Sequence, residues 1–252
     1  MNKKALEIGM KEANFKNPSG LASRGQLSTS YDLTILTLHS SFNFIISKIL
    51  TEKQYHFHIK GPQSRDIMIK TTVRNDFLNN FYTVIGGKTG TLGYIKNLSV
   101  LIFEDNQLYV VTALGATGNR FHQVRLILDQ ALGKPINEPI QVKSYNVIKY
   151  PTIPEHLLKH VHLNSLLAKD DDVKSAPASL TKLLTLLTAL DYPLPLNQEV
   201  EILNCDIVED GLNPLHVGDI LTIEDILHLM LLSSSNIAAN MLARFVEETY
   251  LR

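Results

Sequence analysis

Three short clusters of residues in this chain carry the side chains that acyl transfer requires. Ser179-Leu180-Thr181-Lys182 opens an apolar stretch directly after Pro177-Ala178. On a helix, residues three apart share a face, so Ser179 Oγ and Lys182 Nζ become neighbours. A serine hydroxyl is a weak nucleophile until a base removes its proton, and a partly desolvated lysine is such a base. A helix N-terminus adds positive potential where an acyl oxyanion would develop. Ser234-Ser235-Asn236 sets a hydroxyl and an amide two residues apart between apolar segments, a spacing that suits a cleft wall or a helix N-cap equally well. In Gly86-Gly87-Lys88-Thr89-Gly90-Thr91, strand alternation puts Lys88 and Gly90 on one face and Thr89 and Thr91 on the other. The missing side chain at Gly90 would let a substrate backbone approach, while Lys88 and a threonine hydroxyl offer charge and a hydrogen bond to a carboxylate. Singly, each cluster has a plain structural explanation: a solvated helix start, an N-cap, a glycine-rich hairpin approach. Their occurrence together points to a site.

The elements that must position these clusters are partly legible. Leu180, Leu183, Leu184 and Leu187 form an i, i+3, i+4, i+7 stripe, and Ala238, Met241, Leu242 and Phe245 form another, so Ser179 and Asn236 each stand at the start of a core helix. Two β-rich runs, LSVLIF and LYVVTAL, flank Glu104-Asp105-Asn106-Gln107; they predict an antiparallel hairpin with the Lys88 segment on the preceding strand. From Asn119, the residues Phe121, Val124, Leu128 and Leu132 share a helical face that ends at Gly133. Leu33, Leu36, Ile45, Ile46 and Ile49 predict a helix within 31–50, after the turn-forming Asn17-Pro18-Ser19-Gly20. Residues 134–165 lack sustained periodicity and read as a connector with one short strand and one short helix.

With 252 residues and 44% hydrophobic content, the chain can bury a substantial core. A net charge of -1 gives no bulk attraction to nucleic acid or an anionic membrane. No segment approaches the ~20 apolar residues that a bilayer span requires, and the start, MNKKALEIGMKEANF, has no apolar stretch that would make a signal peptide. The single cysteine, Cys205, excludes an internal disulfide and reads as a buried spectator thiol. His156, His160 and His162, or His56 with His58, have the spacing to face a metal, but no acid or cysteine cluster accompanies them. Neither a metal nor an organic cofactor is expected.

The trio Ser-x-x-Lys, Ser-x-Asn and Lys-Thr-Gly resembles the signature of the penicillin-recognising serine enzymes. The surrounding sequence is similar to the low-molecular-mass D-alanyl-D-alanine carboxypeptidases: PASLTKLLT, VGDILTIEDILHLMLLSSSNIAAN, MNKKALEIGMKEANFKNPSGL, STSYDL and GGKTGTLG. The similarity covers nearly everything except residues 134–163. Two departures stand out. Ile237 follows Asn236 where the family usually has an acid, and the motifs stand at 179, 234 and 88, whereas the family order is nucleophile, Ser-x-Asn, Lys-Thr-Gly. Joining residue 252 to residue 1 restores that order. Glu209-Asp210-Gly211-Leu212-Asn213 matches the deacylating Glu-x-x-Leu-Asn pattern of class A β-lactamases, but it precedes Ser234 instead of following it, so Glu209 reads as a surface residue.

The resemblance implies an α/β fold of the β-lactamase/transpeptidase type in circularly permuted form: a mainly antiparallel sheet of about five strands flanked by helices, plus a helical lobe. It implies one catalytic domain over 1–252, with the family's C-terminal part at 1–133, a connector at 134–165 and the N-terminal part at 166–252. It further implies a D-Ala-D-Ala carboxypeptidase, acylated by β-lactams, that acts on peptidoglycan stem peptides outside the cytoplasmic membrane. Ser179 would be the nucleophile, Lys182 the base and Ser234 the proton relay. Asn236 would hold the substrate amide, Lys88 and Thr89 would receive the terminal carboxylate beside Gly90, and the N–H groups of Ser179 and Thr91 would form the oxyanion hole. A β-lactamase, or a non-catalytic protein that keeps the motifs without assembling them, fits the same residues.

Overall fold

The computed structural model describes residues 1–73, 78, 80–152, 163–211 and 215–251. Three helices open the chain: α1 (Asn2–Glu7), α2 (Ser30–Phe42) and α3 (Phe44–Thr51). The single helix expected within 31–50 is two, bent by 100°, because Asn43 leaves helical geometry and its side chain accepts the N–H groups of Ile45 and Ile46. A side-chain oxygen that caps a new helix competes with continuation of the old one. A hairpin of β1 (Gln54–Ile59) and β2 (Arg65–Lys70) follows.

The main sheet has five antiparallel strands in the order β3-β4-β5-β6-β7: β3 (Thr83–Leu92), β4 (Ile95–Glu104), β5 (Gln107–Leu114), β6 (Ser144–Lys149) and β7 (Ser165–Lys169). Helix α4 (Arg120–Ala131) lays Val124, Ile127 and Leu128 on one face, against Leu98, Val100, Val111 and Val147. On the other face, Leu38 of α2 packs against Leu101, Val110 and Ile148. This is the α/β fold of the β-lactamase/transpeptidase type. The region expected to be a connector with one short strand and one short helix contributes β6, an interior strand paired on both sides. Ser144 to Ile148 are all buried, so the strand lacks the in-out alternation that marks a half-exposed one. The short helix expected in this region lies outside the described residues.

The second layer is a helical lobe of α5 (Thr181–Ala189), α6 (Ile223–His228) and α7 (Asn236–Val246) with α1 and α3, beside a small pair of strands, β8 (Glu199–Glu201) and β9 (Ile220–Thr222). Its core joins Leu183 and Leu186 to Ile226, Met230, Met241, Leu242 and Phe245. Both chain ends anchor on the loop after α5: Lys4 Nζ lies 2.6 Å from Asp191 Oδ1, and the Tyr250 ring stacks on Tyr192 at 5.2 Å. Among the described residues, no single helix is long and apolar enough to cross a membrane. Cys205 corrects its expectation, since it is exposed: the short turn Asn204–Asp206 turns Asp206 inward onto Arg244 and leaves the thiol outside.

Candidate active site

Ser179 sits in a single tight turn, Ala178–Leu180, immediately before α5. Ala178 has φ +50°, a left-handed conformation that costs a non-glycine residue energy and persists only where neighbours enforce it. Asn97 of β4 is one such neighbour, donating to the carbonyls of Ala176 (2.9 Å) and Pro177 (3.2 Å) while its own oxygen accepts the Gly115 N–H. Gly20 is another. It has φ +88°, and a Cβ there would lie 2.0 Å from the Ala178 carbonyl oxygen, so only glycine lets the 17–20 loop close over the turn.

Lys182 is fully buried, and its ammonium meets three acceptors: Ser179 Oγ at 3.0 Å, Asn236 Oδ1 at 2.6 Å and the Ser19 carbonyl at 2.7 Å. Three donors with three partners satisfy the charged form completely. Burial nevertheless brings its pKa down to about 7, opposed by the nearby Asp210 carboxylate. Near neutral pH the amine therefore exists in both forms, and the neutral form has a lone pair to take the Ser179 proton.

The Lys88 strand is an edge strand of the main sheet, lying against the Ser179 turn and buried from Gly86 to Gly90. A Cβ on Gly90 would lie 3.0 Å from the Pro177 carbonyl and 3.3 Å from the Ser179 nitrogen, so strand and turn are nearly in contact. Lys88 is fully buried and donates to Ser234 Oγ (2.7 Å) and to the Thr89 carbonyl (3.2 Å). Burial, with Lys182 and Arg120 nearby, holds its pKa well below the usual lysine range. Thr89 points away and bonds Thr72 at 2.7 Å. Thr91, expected to contribute its backbone N–H, also holds a side-chain partner, Arg120, through its hydroxyl.

Ser234 is the partner of Lys88. It takes φ +68° after the wide last turn Leu229–Ser233, and this left-handed residue aims its hydroxyl at Lys88. Ser235 caps α7, its Oγ accepting the Ala238 N–H at 3.0 Å, and Asn236 turns its oxygen to Lys182. The N-cap explanation of this motif and the cleft explanation are both correct, for adjacent residues. Two hydrogen-bonded runs, Ser179–Lys182–Asn236 and Lys88–Ser234, thus meet at the Ser234-Ser235-Asn236 turn.

Two residues of this neighbourhood were not singled out from sequence. Arg120 donates to the carbonyls of Gly90 (2.8 Å) and Asn97 (2.9 Å) and to the Thr91 hydroxyl (2.7 Å). The available signal was a cation at the first position of a helix, where the helix dipole disfavours it. Asp210 accepts from Ser235 Oγ and from the Asn236 N–H, contacts that sequence spacing does not encode. Glu209 is exposed as expected, although its carbonyl accepts from Asn236 Nδ2 at 2.6 Å; Leu212 and Asn213 lie outside the described residues. His58 directs its ring nitrogens to Asp66 and Ser64, while His156, His160 and His162 lie outside the described residues.

An antiparallel sheet whose edge strand lies against a Ser-Lys pair at the start of a lobe helix is the arrangement of the β-lactamase/transpeptidase fold. Residues 1–113 match the family described as D-alanyl-D-alanine carboxypeptidase, and residues 146–251 match the Beta-lactamase enzyme family. Each match covers less than half of the chain, and together they put the part holding Lys88 before the part holding Ser179 and Ser234. The chain is 30% identical to D-alanyl-D-alanine carboxypeptidase DacF of Bacillus subtilis (strain 168) over 153 residues, 59% of this chain and 38% of that relative. The match therefore spans well under half of the relative's length. No solved structure gives a significant match.

Proposed function

We propose that this protein is a serine D-Ala-D-Ala carboxypeptidase that works through an acyl-enzyme on peptidoglycan stem peptides outside the cytoplasmic membrane, with residues 1–252 acting as one catalytic domain. The observation that carries the reading is Lys182, buried, with Nζ 3.0 Å from Ser179 Oγ and a pKa brought down to about 7. Neutral Lys182 takes the Ser179 proton as Oγ attacks the carbonyl between the two terminal D-alanines. The N–H groups of Ser179 and Thr91 receive the oxyanion, and Asn236 holds the substrate amide. Ser234, hydrogen-bonded to Lys88, relays a proton to the leaving amine and is resupplied with the one Lys182 took from Ser179, so the C–N bond breaks, D-alanine departs and Lys182 is neutral again. Water then cleaves the ester and restores Ser179.

The terminal carboxylate belongs at the edge strand. Lys88 and Thr89 were its expected receivers, yet Lys88 is committed to Ser234 and Thr89 to Thr72. Arg120 with the exposed Thr91 hydroxyl supplies a cation and a hydrogen bond beside Gly90, and we assign the carboxylate there, next to Lys88. The same subsite takes the carboxylate of a β-lactam.

Labelling with a fluorescent penicillin tests the reading. A long-lived adduct on Ser179, together with release of D-alanine from a peptide ending in D-Ala-D-Ala, is expected. Rapid penicillin turnover without D-alanine release would make the protein a β-lactamase, and no labelling would make it a non-catalytic relative.

A further inference from the structure

We propose that Asp210 is a positioning residue for the reaction: it fixes the Ser234-Ser235-Asn236 turn from a distant stretch of chain and thereby sets the orientation of Asn236 toward Lys182. The inference rests on the active-site reading above and adds a residue to it. Asp210 Oδ2 accepts the Ser235 hydroxyl at 2.6 Å, and Oδ1 accepts the Asn236 N–H; the Ile237 N–H also bonds this carboxylate. One carboxylate thus holds three consecutive residues at the start of α7, where the helix dipole favours an anion. The neighbouring Glu209 carbonyl takes Asn236 Nδ2 at 2.6 Å. With the amide nitrogen so engaged, the amide oxygen must face Lys182, 2.6 Å away. Ile237 is buried in the core of the lobe and has no side-chain acceptor to do this work locally.

The carboxylate also acts on Lys182 through space. Burial lowers the Lys182 pKa and Asp210 raises it, so loss of the negative charge moves that pKa further down. Lys88 on β3 lies near enough to Lys182 for its own pKa to be lowered by it, and a lysine cannot replace the negative charge of Asp210.

The test compares wild type with Asp210→Asn and Asp210→Glu in the full chain, with melting temperature recorded for each. NMR titration of 13C-labelled lysine follows Lys182 without requiring turnover, and stopped-flow acylation by a chromogenic β-lactam follows the chemistry. In Asp210→Asn the Lys182 pKa is expected to fall by about one unit. Its acylation rate is expected to fall by about 10²-fold, the usual cost of a small misplacement, with the acid limb moving to lower pH. Asp210→Glu retains the charge, so its Lys182 titration stays near wild type and its rate recovers most of the loss. Should Asp210→Asn not fold, Asp210→Ala carries the same two readouts. A folded charge-neutral variant with unchanged titration and unchanged acylation overturns the proposal. If wild type never acylates while the titration shifts as described, the positioning role stands and the carboxypeptidase reading falls.

Discussion

Lys88 and Ser234 stand 146 residues apart in the chain, yet Lys88 Nζ lies 2.7 Å from Ser234 Oγ. This bond joins the two family parts across the exchanged order, and with the Ser179–Lys182 pair it marks out the cleft.

Ser179→Ala is expected to abolish penicillin labelling while far-UV circular dichroism and melting temperature stay close to wild type. Intact-mass spectrometry and peptide mapping read the outcome. An adduct on another residue would move the nucleophile elsewhere.

Lys182→Met is expected to slow acylation by about 10²- to 10⁴-fold, the range associated with losing a general base. In wild type the acylation rate should rise with pH through an apparent pKa of about 7, since burial places the Lys182 titration there. A pH-independent rate across that region would assign the base to another group.

Stability carries the same signature with a definite sign. An unfolded lysine keeps its proton up to about 10.5, whereas folded Lys182 releases it at about 7. Between these values the unfolded chain binds more protons, so stability rises with pH through the window from this residue. Below about 7 both states are protonated and the contribution is flat. The wild-type melting temperature measured against that of Lys182→Met should therefore climb across the window; a falling difference would contradict the burial argument.

Arg120→Gln is expected to raise the apparent KM for a D-Ala-D-Ala peptide roughly 10- to 100-fold, the range for losing a hydrogen bond to a charged group. A substrate amidated at its C-terminus should lose little, because it offers no carboxylate. Equal losses on both substrates would reduce Arg120 to a brace for Gly90 and Asn97.

Gly20→Ala should weaken acylation although residue 20 contributes no side chain. Its φ of +88° and the 2.0 Å approach to the Ala178 carbonyl leave no room for a methyl group, and the left-handed backbone alone costs about 1 kcal/mol. The displaced turn carries Ser179, so the acylation rate constant should fall even in the folded fraction.

What the sequence made legible was local. The Ser179–Lys182 pair follows from helical spacing, and the β4–β5 hairpin follows from two apolar runs around Glu104 to Gln107. Features that depend on tertiary neighbours were harder to read. Strand β6 is buried from Ser144 to Ile148 and shows no alternation there, Asn43 breaks a helix whose apolar pattern continues through it, and Asp210 acts on residues about 25 positions away. Arg120 left a trace, a charge on the wrong end of a helix, but its partners on β3 and β4 come only with the fold.

The order of the parts also bears on when the cleft can exist. Synthesis runs from the N-terminus at about 5–20 residues per second, so the Lys88 strand leaves the ribosome well before the Ser179 turn and the Ser234 turn. Until then Lys88 lacks Ser234, the 17–20 loop lacks the turn it covers, and β5 lacks β6. The lobe core is closed by Met241, Leu242 and Phe245, residues near the far end of the chain. Under the acyl-enzyme proposal, reactivity toward β-lactams therefore arises only once the helix carrying Met241, Leu242 and Phe245 has emerged.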